Sequence, residues 1–122
     1  MIALRNTFLA SLMFLFAGCV SLDTPQQKVF AATSAYNVAL TPAVAYKQLP
    51  PCAPKPAPIL CSDKSVVATV QKADNVAYDA LSSAQKIVRN PAESPTAAQT
   101  AALWAQEAIS AFTKIVNTLA VK

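Results

Sequence analysis

The sequence predicts an all-α fold, an up-down-up bundle of three helices, and three observations predict it. Apolar side chains recur at spacings of three and four in three stretches of similar length. Each stretch opens on residues that cap helices, two of them followed at once by proline. No segment shows the apolar–polar alternation of a half-buried strand.

The first helix, expected over about residues 25–49, starts at Thr24-Pro25-Gln26-Gln27. Proline suits the first helical position, and Thr24 with Gln27 forms a capping box in which each side chain serves the other's free backbone amide. Val29, Ala32, Tyr36, Ala39, Ala43 and Tyr46 form the stripe of a helix packed on one side. Pro42 falls inside it, so the helix either kinks there or stops near Leu40 and restarts with Thr41 as cap. A Pro-rich loop over 50–61 follows, with five prolines between Pro50 and Pro58. That density excludes helix and inner strand and favours extended polyproline geometry. The loop reads as a stiff connection between antiparallel helices or as a presented segment, with Pro54, Pro56, Pro58 and Ile59 offered to a partner as an extended ligand.

The second helix, about 63–89, is expected to take Ser62 as its cap, with Asp63 set against the positive end of the helix dipole. Val66, Val70, Ala73, Ala77, Leu81, Ala84 and Val88 make its stripe. Asp74 and Asp79 fall off that stripe and read as solvated charges. Asn90-Pro91 ends the helix, asparagine because it tolerates the left-handed stop and proline because it cannot continue. Ser94-Pro95 opens the third helix, about 95–120. Its seam is Ala98, Ala101, Ala105, Ala108, Phe112, Ile115 and Leu119, widened by Ala102, Ile109 and Val116. The seam is alanine at one end and Phe-Ile-Leu at the other, so the helices should approach closely at the first and splay at the second, with Trp104 covering the thin end. Helices of matched length joined by short turns argue for the bundle.

The region before this domain has the grammar of a signal peptide over 1–18: Arg5, an apolar run from Phe8 to Phe16, and the small pair Ala17-Gly18 before Cys19. Gly18 is the only glycine in the chain. The run falls short of the roughly 20 apolar residues that span a bilayer. An uncleaved anchor and an ordinary secreted precursor cut elsewhere are the alternatives. Ala17, Gly18 and Cys19 resemble the lipobox of bacterial lipoproteins, with Phe16 where leucine is usual and the resemblance confined to 1–19. It implies cleavage before Cys19 and acylation of that residue, giving a membrane contact through acyl chains such as palmitate. Several chains make anchoring stable where one is marginal. Val20, in the position where aspartate tends to retain such proteins in the inner membrane, favours the periplasmic face of the outer membrane of a Gram-negative cell.

Cysteine arithmetic agrees with this. Acylating Cys19 leaves Cys52 and Cys61 as a pair in a compartment where disulfides persist. With no histidine in the chain, these two thiols lack the four ligands of a structural zinc, and no metal site is expected. Removing 18 of the 122 residues leaves 104, one small domain. Residues 19–23 form a tether and 24–122 the domain. The mature chain carries nine basic and six acidic side chains, and its lysines are scattered. That argues for a solvated surface and against nucleic acid, which calls for clustered basic residues.

The inventory for catalysis is sparse. Without histidine the commonest general base is missing, and without glycine past Gly18 there is neither a phosphate-cradling loop nor a nucleophile elbow. The expectation is a non-enzymatic, cofactor-free envelope lipoprotein acting by contact with a protein partner, the envelope or a second copy of itself. The alternatives are a small-molecule carrier with a helical cleft and, on compositional resemblance alone, a phage- or prophage-encoded lysis or exclusion lipoprotein.

Overall fold

The computed structural model describes residues 23–52 and 60–119. Three helices account for nearly all of them: α1 (Pro25–Lys47), α2 (Lys64–Arg89) and α3 (Pro95–Leu119). All three pack on one another, and no strand occurs among the described residues. At 1.5 Å per residue the 23, 26 and 25 residues give lengths of about 35 to 39 Å. Gln26 Nε2 donates to the Val88 carbonyl at one end of the α1–α2 pair, and the Asp63 N–H donates to the Tyr46 hydroxyl at the other. The two helices are therefore antiparallel, and the short turn after Arg89 sends α3 back alongside α1.

The capping box forms as expected. The Gln27 N–H donates to Thr24 Oγ1 at 3.2 Å, while Gln27 Oε1 accepts from the Thr24 N–H at 3.2 Å. Helix α1 is not broken at Pro42: it runs through the proline to Lys47, with Val29, Ala32, Tyr36, Ala39 and Ala43 all buried. Thr41 is thus an interior residue whose hydroxyl donates to the Asn37 carbonyl. Continuity is tolerated because Pro42 lies on the exposed side. The carbonyl it cannot serve, that of Val38, belongs to an exposed residue that water can reach.

Local expectations are corrected at both ends of α2. The cap of α2 is Asp63, whose carboxylate accepts from the N–H groups of Ser65 and Val66, while Ser62 is buried and bonded elsewhere. A carboxylate serves two amides and meets the positive end of the dipole, so it outcompetes the neighbouring hydroxyl. Asn90 ends α2 in extended geometry (φ −88°, ψ 110°), not left-handed. Pro91 disfavours helical geometry in the residue before it, and the Asn90 side chain closes the turn by accepting from the Ala92 N–H.

In α3 the buried line runs Ala98, Ala102, Ala105, Ile109, Phe112, Val116, with Ala101 beside it; Ala108, Ile115 and Leu119 are half-buried. A straight helix drifts about 20° per heptad from a strict 3.5-residue seam, and here the drift selects the flank that had been expected only to widen it.

Phe112, fully buried, stands at the centre with the Tyr36 ring 5.8 Å away. Nine of the sixteen buried apolar residues are alanine, so each position removes little area from water and the core is thin. The Cys52–Cys61 bridge in the α1–α2 connection therefore matters. Closing a loop of ten residues contributes about 2.7 kcal/mol on the chain-entropy account.

Candidate functional site

Ala17, Gly18 and Cys19 lie outside the described residues, as do Pro54, Pro56, Pro58 and Ile59 of the expected contact loop. The base of that loop is described. Cys52 and Cys61 form a disulfide with Cα atoms 4.9 Å apart. Ser62 moors it with three groups. Its N–H donates to the Pro50 carbonyl at 2.8 Å, its carbonyl accepts from the Cys52 N–H at 3.0 Å, and its hydroxyl donates to the Leu49 carbonyl at 2.9 Å. Pro51 and Ser62 thereby make a single parallel bridge. With Asp63 bonded to the Tyr46 hydroxyl, both ends of the loop are fastened to the ends of α1 and α2. This places the disulfide at the opposite end of the bundle from Thr24.

The α1–α2 seam carries a second polar feature. The Tyr36 hydroxyl donates to Asp74 Oδ1 at 2.7 Å, so Asp74 is half-buried and engaged, contrary to its expected place among the solvated charges. Burial pushes the Tyr36 hydroxyl from 10.0 up to about 12, and the hydrogen bond to Asp74, that carboxylate's charge and the neighbouring Tyr78 add to the shift. Gln85 Nε2 donates to Thr33 Oγ1 one level nearer the α1 start. No sequence signal marked the pair Tyr36 and Asp74. A tyrosine on a buried stripe and an aspartate just off one require only that the two helices be antiparallel and in this register.

The bundle's hollows are small or open. A cleft of about 100 Å³ lies between Leu40, Ala43, Val67 and Val70, with Asp74 at its edge. A shallow groove of about 660 Å³ runs between α2 and α3, lined by Ala80, Ala84, Ile87, Ala97, Ala101 and Trp104. This groove is at the alanine end of the α3 seam, not at the Phe-Ile-Leu end where the helices were expected to splay. Small side chains bring the axes together but leave the flank unfilled. Trp104 rims the groove and is 67 % exposed, so it does not cover the thin end. Tyr78 is also exposed, whereas Tyr36 on the α1 stripe is buried and Tyr46 half-buried.

Among the described residues no group of three or more His, Cys, Asp or Glu side chains is placed to share a metal ion, and no helix is long and apolar enough to cross a membrane. Set against protein-family models, curated proteins and solved structures, the chain matches none.

Proposed function

We propose that the protein is a non-enzymatic lipoprotein, held by acyl chains on Cys19 at the periplasmic face of an outer membrane and acting there by contact. The observation that supports this most is the start of the folded domain. The capping box at Thr24 leaves only residues 19–23 between the acylation site and α1, and Asp23 is itself tied to Gln27 Oε1. A tether of five residues reaches at most about 17 Å, so an anchored bundle is held against the membrane surface. The loop base at the other end is braced by a disulfide suited to an oxidising compartment. The contact role is the reading that a braced loop on a compact bundle supports.

Incorporation of labelled palmitate by the intact precursor tests the anchor. Label on the wild type and none on Cys19→Ser is expected; label persisting in the mutant would contradict it. The groove beside Trp104 supports a second reading, carriage of a small apolar molecule, since ligand sites of about 300 to 1,000 Å³ are typical. Gel filtration and apolar-dye titration of the unacylated protein separate the two. A species without dye uptake supports contact, and a monomer with stoichiometric uptake supports carriage.

A further inference from the structure

Helix α1 differs from its neighbours on the side turned away from the core. Phe30 and Val38 are each 75 % exposed and Val44 is 43 % exposed, with the exposed Ser34, Asn37 and Thr41 between them; α2 and α3 also expose apolar residues, Val76, Tyr78, Leu103 and Trp104, so the contrast lies in charge. The 23 residues of α1 include no Asp or Glu, and its two charges, Lys28 and Lys47, are near its two ends. Helices α2 and α3, by contrast, set Lys72, Asp79, Lys86, Glu107 and Lys114 on their exposed sides. The α1 hydroxyls are occupied internally, as are those of Thr69 on α2 and of Thr113 and Thr118 on α3. Thr33, Ser34 and Thr41 donate to the carbonyls of Val29, Phe30 and Asn37 at 2.8, 3.3 and 3.2 Å, which lowers their demand for water. A helix that exposes Phe30, Val38 and Val44 on a side with no charge between Lys28 and Lys47 can take a second neighbour that is not water.

We propose that the outer side of α1 rests in the headgroup region of the bilayer, so that the bundle lies on its side with α2 and α3 above. The inference rests on the Cys19 anchor, and the length of the tether selects a lipid surface as the occupant. The tether joins α1 directly, and its reach of about 17 Å exceeds the helix diameter of about 10 to 12 Å, so α1 can be laid flat without strain on the link. Lys28 and Lys47 extend their ammonium groups to lipid phosphates at the two ends, with no acidic side chain on α1 to oppose them. The face need bind only weakly, because the tether holds it at high effective concentration. Among the described residues no helix has the length and apolarity to span, so α1 lies on the bilayer and does not cross it. The Cys52–Cys61 bridge is then held close to the headgroups instead of standing off by the length of the bundle.

The chain's single tryptophan makes this measurable. Trp104 lines the α2–α3 groove, away from α1. The acylated full-length wild type and an acylated Phe30→Trp/Trp104→Phe variant are placed in vesicles of phosphatidylethanolamine and phosphatidylglycerol, with and without brominated acyl chains. Palmitate label is counted in the same samples, and a Val38→Trp/Trp104→Phe variant repeats the reading one level along α1. The indole at residues 30 and 38 is expected to shift to the blue and lose about half its emission to brominated lipid, while Trp104 keeps a water-exposed spectrum and its intensity. Labelled protein whose indole at 30 and 38 is unquenched, or is quenched no more than Trp104, overturns the proposal and leaves the anchor standing. A blue shift at residue 30 that needs no lipid and grows with protein concentration overturns it in favour of a second copy of the chain. Absence of label from the wild type removes the anchor and this proposal together.

Discussion

Two seams of the bundle are built on opposite principles. Between α1 and α2 the contact is the narrowest of the three and is crossed by hydrogen bonds: Gln26 to Val88, Gln85 to Thr33, Tyr36 to Asp74 and Asp63 to Tyr46. Between α2 and α3 the contact is the broadest, and both helices carry fully buried alanines (Ala77 and Ala84 on α2, Ala102 and Ala105 on α3) that let them close on each other. Hydrogen bonds are directional and contribute modestly in net, so the first seam specifies register. Close apolar packing is undirected but tight, so the second supplies more of the cohesion. The difference teaches that α1 is placed accurately but held lightly by α2, which suits a helix next to the proposed Cys19 anchor.

Substitutions can break or sharpen that contrast. Phe112→Ala empties the point where α1 and α3 meet and should cost about 3 to 5 kcal/mol in denaturant unfolding; a loss below that range would mean the core collapses around the gap. Ala84→Leu overfills the α2–α3 seam and should cost about 1 to 3 kcal/mol, whereas tolerance of the added volume would show that the alanines do not set the approach. Tyr36→Phe leaves Asp74 without its donor and should cost about 1 to 2 kcal/mol near neutral pH, and a cycle with Asp74→Ala should show the two residues coupled.

The same tyrosine gives a pH signature. Its folded value of about 12 lies above the unfolded 10.0, so the unfolded chain loses the proton first. The stability this group contributes is complete below pH 10.0 and is lost as pH rises toward 12. Wild type should therefore weaken more steeply than Tyr36→Phe over that interval, and parallel curves would refute the buried hydroxyl. The smallest effect is expected of Gln85→Ala, within about 0.5 kcal/mol, since its hydrogen bond to Thr33 joins two neutral side chains that water can replace. A loss as large as that of Tyr36→Phe would mean register depends on both levels.

Most of the fold was legible because its determinants are local. The Thr24 capping box, the stripe from Val29 to Ala43 and the Ser94 start depend on neighbours within one or two turns, and all three form. What escaped depends on the third dimension. Ser62 and Asp63 are both good caps; the carboxylate takes the role, and the Ser62 hydroxyl is drawn to the Leu49 carbonyl, a partner the local sequence does not reveal. The α3 seam was offset because its sequence satisfies both a 3.5 and a 3.6 period, and only the packed helix chooses. Asp74 read as a surface charge because its partner is 38 residues away on another helix. The outer side of α1 escaped for a related reason. Phe30, Val38 and Val44 are unremarkable one by one, and become a surface only once Val29 and Tyr36 are seen to face inward.

Hydrogen exchange, read helix by helix in protein bearing the proposed acyl chains on vesicles and in the Cys19→Ser form, tests the proposed role of α1 most directly. In the unacylated form the amides between Val29 and Ala43 should exchange faster than those between Ala77 and Ala84 or between Ala101 and Phe112, because the lightly held helix opens first. On vesicles the protection of α1 should rise to meet that of α2 and α3, while theirs changes little. Equal protection of all three helices in both forms would contradict the account.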